Sequence, residues 1–205
     1  MHPNPAFRKE SRERNIEFAR QRSFGVLAVS TVDGPLLSHI PFQLAPDGSR
    51  LEAHIVLSNP IARALANPLR AVMAVSGGDC YVSPDWYGID NQVPTWNYVA
   101  VHLRGTLSAL NPDALHGVLE RLSANMEQRL ADKAPWKIDK MDQQIYGRLL
   151  RQIMPISMEI DDIQGTWKLS QNKTDPVRLA AADGVAASAV GFETESIVRL
   201  MRESE

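Results

Sequence analysis

The sequence predicts a β-barrel with helices packed outside it, a mainly β fold with helices (α+β). Two observations lead to this class. Six or seven short runs of alternating apolar and polar residues occupy the middle of the chain, separated by turn residues. Charged or amphipathic helical segments flank these runs on both sides. With 205 residues, 44% of them apolar, the chain can form one substantial core, and we expect a single domain over residues 1–205 with an N-terminal helix and a C-terminal helical extension.

The first elements are a charged helix and an antiparallel meander. The segment KESRERNIEFARQRS predicts a surface helix that ends near Gly25. Three strands follow in FGVLAVST, LLSHIPFQLA and RLEAHIVL, because the Asp-Gly pairs between these runs are strong hairpin signals. A short helix in NPIARALANP begins with Asn59 as its cap and Pro60 in its first turn.

The middle of the chain continues with LRAVMAVSG and CYVSP, which we interpret as two separate strands. A long strand follows in TWNYVAVHLRG, where Val99, Val101 and Leu103 alternate with polar or small residues, as the two-residue period of a strand requires. The polar and aromatic residues from Thr95 to Tyr98 therefore lie at the entrance of this strand.

Helices dominate the last hundred residues. Asn111 and Pro112 begin an amphipathic helix whose apolar face carries Leu115, Val118, Leu119, Leu122, Met126 and Leu130. A second amphipathic helix is predicted at about residues 142 to 153. PISMEIDDIQGTWKLS returns to a strand pattern, and TDPVRLAAADG and ETESIVRLMRES predict two terminal helices.

Composition excludes several classes of protein. A single cysteine, Cys80, forms no internal disulfide and no cysteine-rich metal site. No apolar run resembles a signal peptide or a membrane span, so we expect a cytoplasmic protein that does not contact membranes. The net charge of −2 gives no general attraction to nucleic acid, and binding to DNA would need a local basic patch. The residues for such a patch are Arg8, Lys9, Arg12 and Arg14, although a solvated helix face explains the same charges.

No catalytic motif and no metal-ligand spacing occurs in the chain, so we predict no catalytic side chain and no metal site. Two segments are suited to an organic anion. Ser58 and Asn59 lie at a helix start, where backbone N–H groups are free. Lys168 supplies a positive charge next to the polar run of Ser170, Gln171 and Asn172. Tryptophan and tyrosine in DWYGIDNQVPTWNY would add the flat apolar walls that a planar cofactor needs.

Four segments, SHIPFQL, YVSPDWY, VPTWNYVAVHLRG and KLSQN, occur in this order between Phe24 and Asn172. They resemble the PaiB family of FMN-binding proteins, which are often described as negative transcriptional regulators. The resemblance implies a split β-barrel of the pyridoxamine-phosphate-oxidase type, a homodimer, and FMN held at the subunit interface. The cofactor-binding residues that it suggests are His54, Ser58, Asn59, Trp96, Asn97, Tyr98, Lys168, Ser170, Gln171 and Asn172.

One position departs from the family pattern. Where the family commonly has an arginine, this sequence has Leu57, so a cation expected near the FMN phosphate is missing. Lys168, Arg63 or Arg104 would have to replace it, with Lys168 as the leading candidate; the alternative is weak or lost FMN binding.

Three functions remain open at the level of sequence. The first is an FMN-binding, PaiB-like negative transcriptional regulator, although no helix-turn-helix with a basic recognition helix is evident. The second is a flavin-dependent oxidoreductase acting on a small molecule, and the third is a cofactor-free dimeric interaction module. A homodimer is expected in each case, because the aromatic density around Trp86 and Trp96 would leave an apolar patch on a monomer.

Overall fold

The computed structural model describes residues 1–188 and 190–204. Its helices are α1 (Arg12–Arg22), α2 (Pro60–Ala64), α3 (Leu115–Glu127), α4 (Gln143–Leu150), α5 (Asp175–Ser188) and α6 (Thr194–Glu203). Its strands are β1 (Phe24–Thr31), β2 (Gly34–Leu44), β3 (Arg50–Val56), β4 (Leu69–Val82), β5 (Thr95–Ala109), β6 (Ile153–Lys168) and β7 (Gly191–Phe192).

The strands form one sheet in the order β1-β2-β3-β6-β5-β4-β7. The β1–β2 hairpin pairs Phe24 with Pro41 at its open end and Thr31 with Gly34 at its turn. Because β1 also pairs with β4 in antiparallel fashion, the first six strands of this order close into a barrel. The predicted β-barrel is therefore confirmed.

The chain divides into two compact units. One consists of Met1–Asn15, Ser76–His102 and Gln164–Glu205, and the other of Ile16–Val75 and Leu103–Ile163. The core of the first includes Cys80, Val82, Val99, Val101, Leu169, Ile197 and Met201. The core of the second includes Leu27, Phe42, Leu51, Met73, Leu103, Leu107, Ile156 and Met158. The prediction of a single domain stays a prediction.

The prediction of two strands in LRAVMAVSG and CYVSP was wrong, because β4 continues through Gly77 and Gly78. These glycines form no turn, and neither has a positive φ. A Cβ on Gly78 would lie 2.8 Å from the carbonyl oxygen of Glu193, so this glycine permits a close backbone approach. The short strand β7, which pairs with β4 through Cys80 and Gly191, was not predicted.

Helix ends differ from the predictions in three places. α1 ends at Arg22 rather than near Gly25, because Ser23 adopts a left-handed backbone with φ 48°. α3 ends at Glu127, which leaves Leu130 beyond the helix and exposed. Ile153 begins β6 instead of closing the preceding helix.

None of the helices in the described part of the chain is both long and apolar enough to span a membrane.

Candidate functional site

The entrance of β5 alternates between exposed and buried side chains. Trp96 is 48% exposed, whereas its neighbour Asn97 is completely buried and Tyr98 is half-buried. This alternation follows from the pleat of the strand, which directs successive side chains to opposite faces. Two neighbours in the sequence therefore have different surroundings: Asn97 lies in the interior and Trp96 lies at the surface.

The end of β6 carries the second predicted cluster. Lys168 is the last residue of the strand, and Ser170 turns the chain with a left-handed φ of 63°. The Gln171 side chain closes this turn, because its Oε1 accepts from the backbone N–H of Leu169 at 2.8 Å and its Nε2 donates to the carbonyl oxygen of Trp167. Asn172 is exposed. Gln171 therefore shapes the turn with both ends of its amide.

A buried hydrogen-bonded cluster connects the start of β5 to the turn after β6. Asn97 Nδ2 donates to Ser170 Oγ at 2.9 Å and contacts Met201 Sδ at 3.4 Å. The hydroxyls of Tyr87 and Ser170 are hydrogen-bonded at 3.1 Å, and burial raises the pKa of Tyr87. Asn97 Oδ1 has no hydrogen-bond partner within residues 1–188 and 190–204. This cluster holds together the segments that carry Trp96 and Lys168, because Trp96 directly precedes Asn97 and Lys168 lies two residues before Ser170.

Lys168 is a half-buried cation with no carboxylate beside it. Its ammonium donates to Thr95 Oγ1 and lies 5.8 Å from the centroid of the Phe7 ring. No ion pair joins it to an acid in the part of the chain that the structure describes. Burial lowers the pKa of Lys168, since the charged form loses water without gaining an opposite charge. Such a group is suited to binding an anion.

A second lysine lies in the same unit. Lys173 donates to Gln92 Oε1, and its ammonium is 5.3 Å from the centroid of the Tyr87 ring. Aromatic rings continue from Trp96, which meets Tyr81 edge to face at 6.3 Å, to Trp86, which meets Tyr81 at 6.2 Å. The exposed Trp96 is thus the outer member of a three-ring row.

The remaining predicted residues belong to the other compact unit. Asn59 Oδ1 accepts from the backbone N–H of Ile61 at 2.9 Å, and Asn59 Nδ2 donates to Ser38 Oγ at 2.9 Å. The predicted helix cap is therefore confirmed. Ser58 and Leu57 are exposed. His54 lies on β3, where burial lowers its pKa and leaves its Nδ1 without a hydrogen-bond partner in the described residues.

Comparison with known proteins gives the family. Residues 1–162 match the family model described as "Putative FMN-binding domain". Over 171 residues the chain is 29% identical to the protein "Protease synthase and sporulation protein PAI 2" of Bacillus subtilis, and the match covers 82% of this chain and 81% of that protein. The chain belongs to the PaiB family.

Solved structures agree with this assignment at the level of the fold. The FAD and heme binding protein from Mycobacterium smegmatis is 20% identical with a TM-score of 0.56, and the match covers 91% of this PaiB-family chain and 82% of that chain. The flavocytochrome Anf3 from Azotobacter vinelandii is 11% identical with a TM-score of 0.52, covering 82% of this chain and 72% of the other. The predicted split β-barrel fold is confirmed.

Sequence reasoning missed several neighbours of Lys168 in this PaiB-family chain. Thr95 was placed at a strand entrance without a role, and His2 and Phe7 were not considered. Phe7 and Lys168 are 161 positions apart, and no periodicity in the sequence links them. The polar run after β6 was a useful signal for Ser170, which is part of the buried cluster.

Proposed function

We propose that this PaiB-family chain binds FMN as a homodimer and acts as a negative transcriptional regulator. The observation that supports FMN binding is the half-buried Lys168 ammonium, which has no carboxylate beside it in the described residues. Partial burial costs this cation part of its hydration, which an anionic ligand would offset, and the FMN phosphate carries nearly two negative charges.

The chain's own residues would have distinct tasks in holding FMN. Lys168 would bind the phosphate, and Trp96 would offer a flat apolar wall to the ring system. Asn97 and Ser170 would act as positioning residues, because their hydrogen bond holds the segments that carry Trp96 and Lys168. When bound, FMN supplies electron-transfer chemistry that side chains do not have.

The remaining predicted contacts have unequal support. Tyr98, Asn172, Ser58 and His54 stay proposed contacts. Asn59 and Gln171 are weaker candidates, because their side-chain amides already satisfy backbone groups of their own segments. In this proposal Lys168 takes over the role of the arginine that Leu57 replaces.

A homodimer is supported by the exposed apolar side chains before and at the start of β5. Ile89 is 47% exposed, Val93 is 73% exposed and Trp96 is 48% exposed, within eight consecutive residues. An apolar stretch of this kind is unfavourable in water and typical of an interface. Light scattering at micromolar concentration should give twice the chain mass of 22.8 kDa. A monomer mass would contradict the dimer.

The absorbance spectrum of the purified protein, recorded with and without added FMN, tests the flavin proposal. We expect a flavin band that survives gel filtration. A protein that retains no flavin, even after addition of excess FMN, would contradict the proposal and favour the cofactor-free interaction module. Steady-state oxidation of NAD(P)H by the FMN-loaded protein would instead favour the flavin-dependent oxidoreductase.

The proposed regulation through direct DNA contact depends on the N-terminal basic residues. Arg8, Lys9, Arg12 and Arg14 are all exposed, and Arg14 also pairs with Glu10 at 2.7 Å and stacks on Trp167 at 4.5 Å from the ring centroid. Arg14 is therefore less suited than Arg8 and Lys9 to binding phosphate groups of DNA.

Charge reversal of Arg8 and Lys9 to glutamate tests this contact without removing buried residues of the N-terminal segment. We expect the double variant to lose a gel shift that the wild type gives at low salt, since phosphate contacts dominate such binding. Lys137→Glu with Lys140→Glu is the matched control. Equal shifts for both double variants, or no shift by the wild type, would contradict direct DNA contact.

A further inference from the structure

The N-terminal residues lie beside Lys168 at the end of β6. The backbone N–H of His2 donates to Thr166 Oγ1 at 3.1 Å, and the buried Phe7 ring is 5.8 Å from the Lys168 ammonium. The His2 ring meets the same Phe7 ring edge to face, with the centroids 4.8 Å apart. His2 and Lys168 thus share one aromatic neighbour.

The surroundings of His2 define which ring nitrogen carries the proton. The backbone N–H of Asn4 donates to His2 Nδ1 at 3.1 Å, so a neutral ring accepts at Nδ1 and carries its hydrogen on Nε2. Burial, the charge of Lys168 and the amino group of Met1 lower the pKa of His2 in that order. The lowered pKa and the hydrogen bond accepted at Nδ1 both favour the neutral ring, which presents Nε2–H as a donor.

The Nε2–H of His2 has no acceptor in the part of the chain that the structure describes. Two further donors belong to the same compact unit. The Lys168 ammonium has hydrogens beyond the one it gives to Thr95, and the Thr95 hydroxyl, which accepts from Lys168, keeps its own hydrogen to donate. A set of N–H and O–H donors without an accompanying carboxylate is suited to the oxygens of a phosphate group.

We propose that His2 is a second phosphate-binding residue beside Lys168 and donates its Nε2–H to a phosphate oxygen of the ligand. The inference rests on the proposed function, in which the ligand is FMN. It assigns the N-terminal segment to the binding site and gives this chain a neutral donor in addition to Lys168, where the usual arginine of the family is absent.

Two substitutions separate this role from simple packing. His2→Phe keeps an aromatic ring against Phe7 and removes the donor, whereas His2→Gln keeps an amide N–H at a similar reach. Both variants are produced without residues added before Met1 and are titrated with FMN and with riboflavin, which lacks the phosphate. Flavin fluorescence measures binding in each case.

We expect the FMN dissociation constant to rise about tenfold in His2→Phe and to stay within about threefold of the wild type in His2→Gln. Riboflavin binding should be unchanged in both variants. Wild-type FMN affinity in His2→Phe, or an equal loss of FMN and riboflavin, would overturn the assignment, because the ring would then serve only packing.

Failure of the flavin proposal itself is a separate result, in which the wild type binds neither flavin. Titration with inorganic phosphate, followed through the imidazole NMR signals, then decides the role of His2. The His2 signals are identified by their absence in His2→Phe. A phosphate-dependent shift confined to them would support the anion site, and unchanged His2 signals would overturn it.

Discussion

Asn97 donates a 2.9 Å hydrogen bond to Ser170, and both side chains are buried. The bond joins the entrance of β5 to the turn after β6, across 73 positions of the sequence. Ser170 also meets the Tyr87 hydroxyl at 3.1 Å, so one serine oxygen serves two buried partners. Removal of the Ser170 hydroxyl would leave both of these buried groups without their shared partner, which makes Ser170 the central residue of this cluster.

Ser170→Ala should destabilise the protein, because it leaves Asn97 Nδ2 and the Tyr87 hydroxyl without their shared partner. A loss of about 1 to 3 kcal/mol is expected in the free energy of unfolding, measured by urea denaturation. Ser170→Gly removes the same hydroxyl but suits the left-handed φ of 63°, so it should be about 1 kcal/mol more stable than Ser170→Ala. Equal stability of the two variants would contradict a strained backbone at this position.

The parts of the fold that could be predicted from sequence are those with local signals. The alternation of apolar and polar residues and the Asp-Gly turn predicted the β1–β2 hairpin. Asn59 before Pro60 predicted the cap of α2. The break predicted at Gly77 and Gly78 was wrong because a glycine pair is compatible with a turn and also with a close approach of another backbone. Only the position of the Glu193 backbone in the fold shows that Gly78 permits a close approach.

The candidate site was predictable to a smaller extent. The polar residues Ser170 and Asn97 stood out in their segments, yet their mutual hydrogen bond depends on how β5 and β6 are placed by the fold. The contact of Lys168 with Phe7 joins the two ends of the chain and has no sequence signature.

Gly184 provides a test of helix packing in α5. A Cβ at this position would lie 2.3 Å from Trp86 Cγ, so the indole packs directly on the helix backbone. Gly184→Ala should lower the melting temperature, although alanine normally stabilises a helix interior by about 1 kcal/mol relative to glycine. Gly147→Ala in α4 is the matched control, because its nearest neighbour is an arginine tip at 4.0 Å. We expect the control to be as stable as the wild type or more so; a stabilised Gly184→Ala would contradict the contact.

Cys80 should be inert in the native protein. Burial raises the pKa of the Cys80 thiol to about 11. At pH 8 only about one thiol in a thousand is then ionised, and the thiolate is the reactive form. Ellman's reagent should give no colour with the folded protein and one thiol per chain in guanidinium chloride, with glutathione as the reactive control. Stoichiometric reaction of the native protein within minutes would show that the thiol is accessible.

Replacement of Lys168 tests the proposed phosphate contact most directly. Lys168→Met keeps the apolar stem and removes the charge, and we expect FMN binding to weaken roughly ten- to a hundredfold, which corresponds to the about 1.5 to 3 kcal/mol of a charge-assisted hydrogen bond. Riboflavin binding should be unaffected, and Lys140→Met, at an exposed lysine of the other compact unit, is the matched control. Wild-type FMN affinity in Lys168→Met would show that the phosphate binds elsewhere.

Leu57→Arg restores the cation that the family pattern has at this position, so FMN should bind more tightly to this variant than to the wild type.

Because burial lowers the pKa of Lys168, the ammonium loses its charge at a lower pH than an ordinary lysine. FMN affinity should therefore fall as the pH rises toward the lysine range, and it should fall less in Leu57→Arg, since a guanidinium stays protonated there. Flavin fluorescence titrations between pH 7 and pH 10, with riboflavin as the phosphate-free reference, measure both effects. A pH-independent ratio of FMN to riboflavin affinity in the wild type would remove Lys168 from the site.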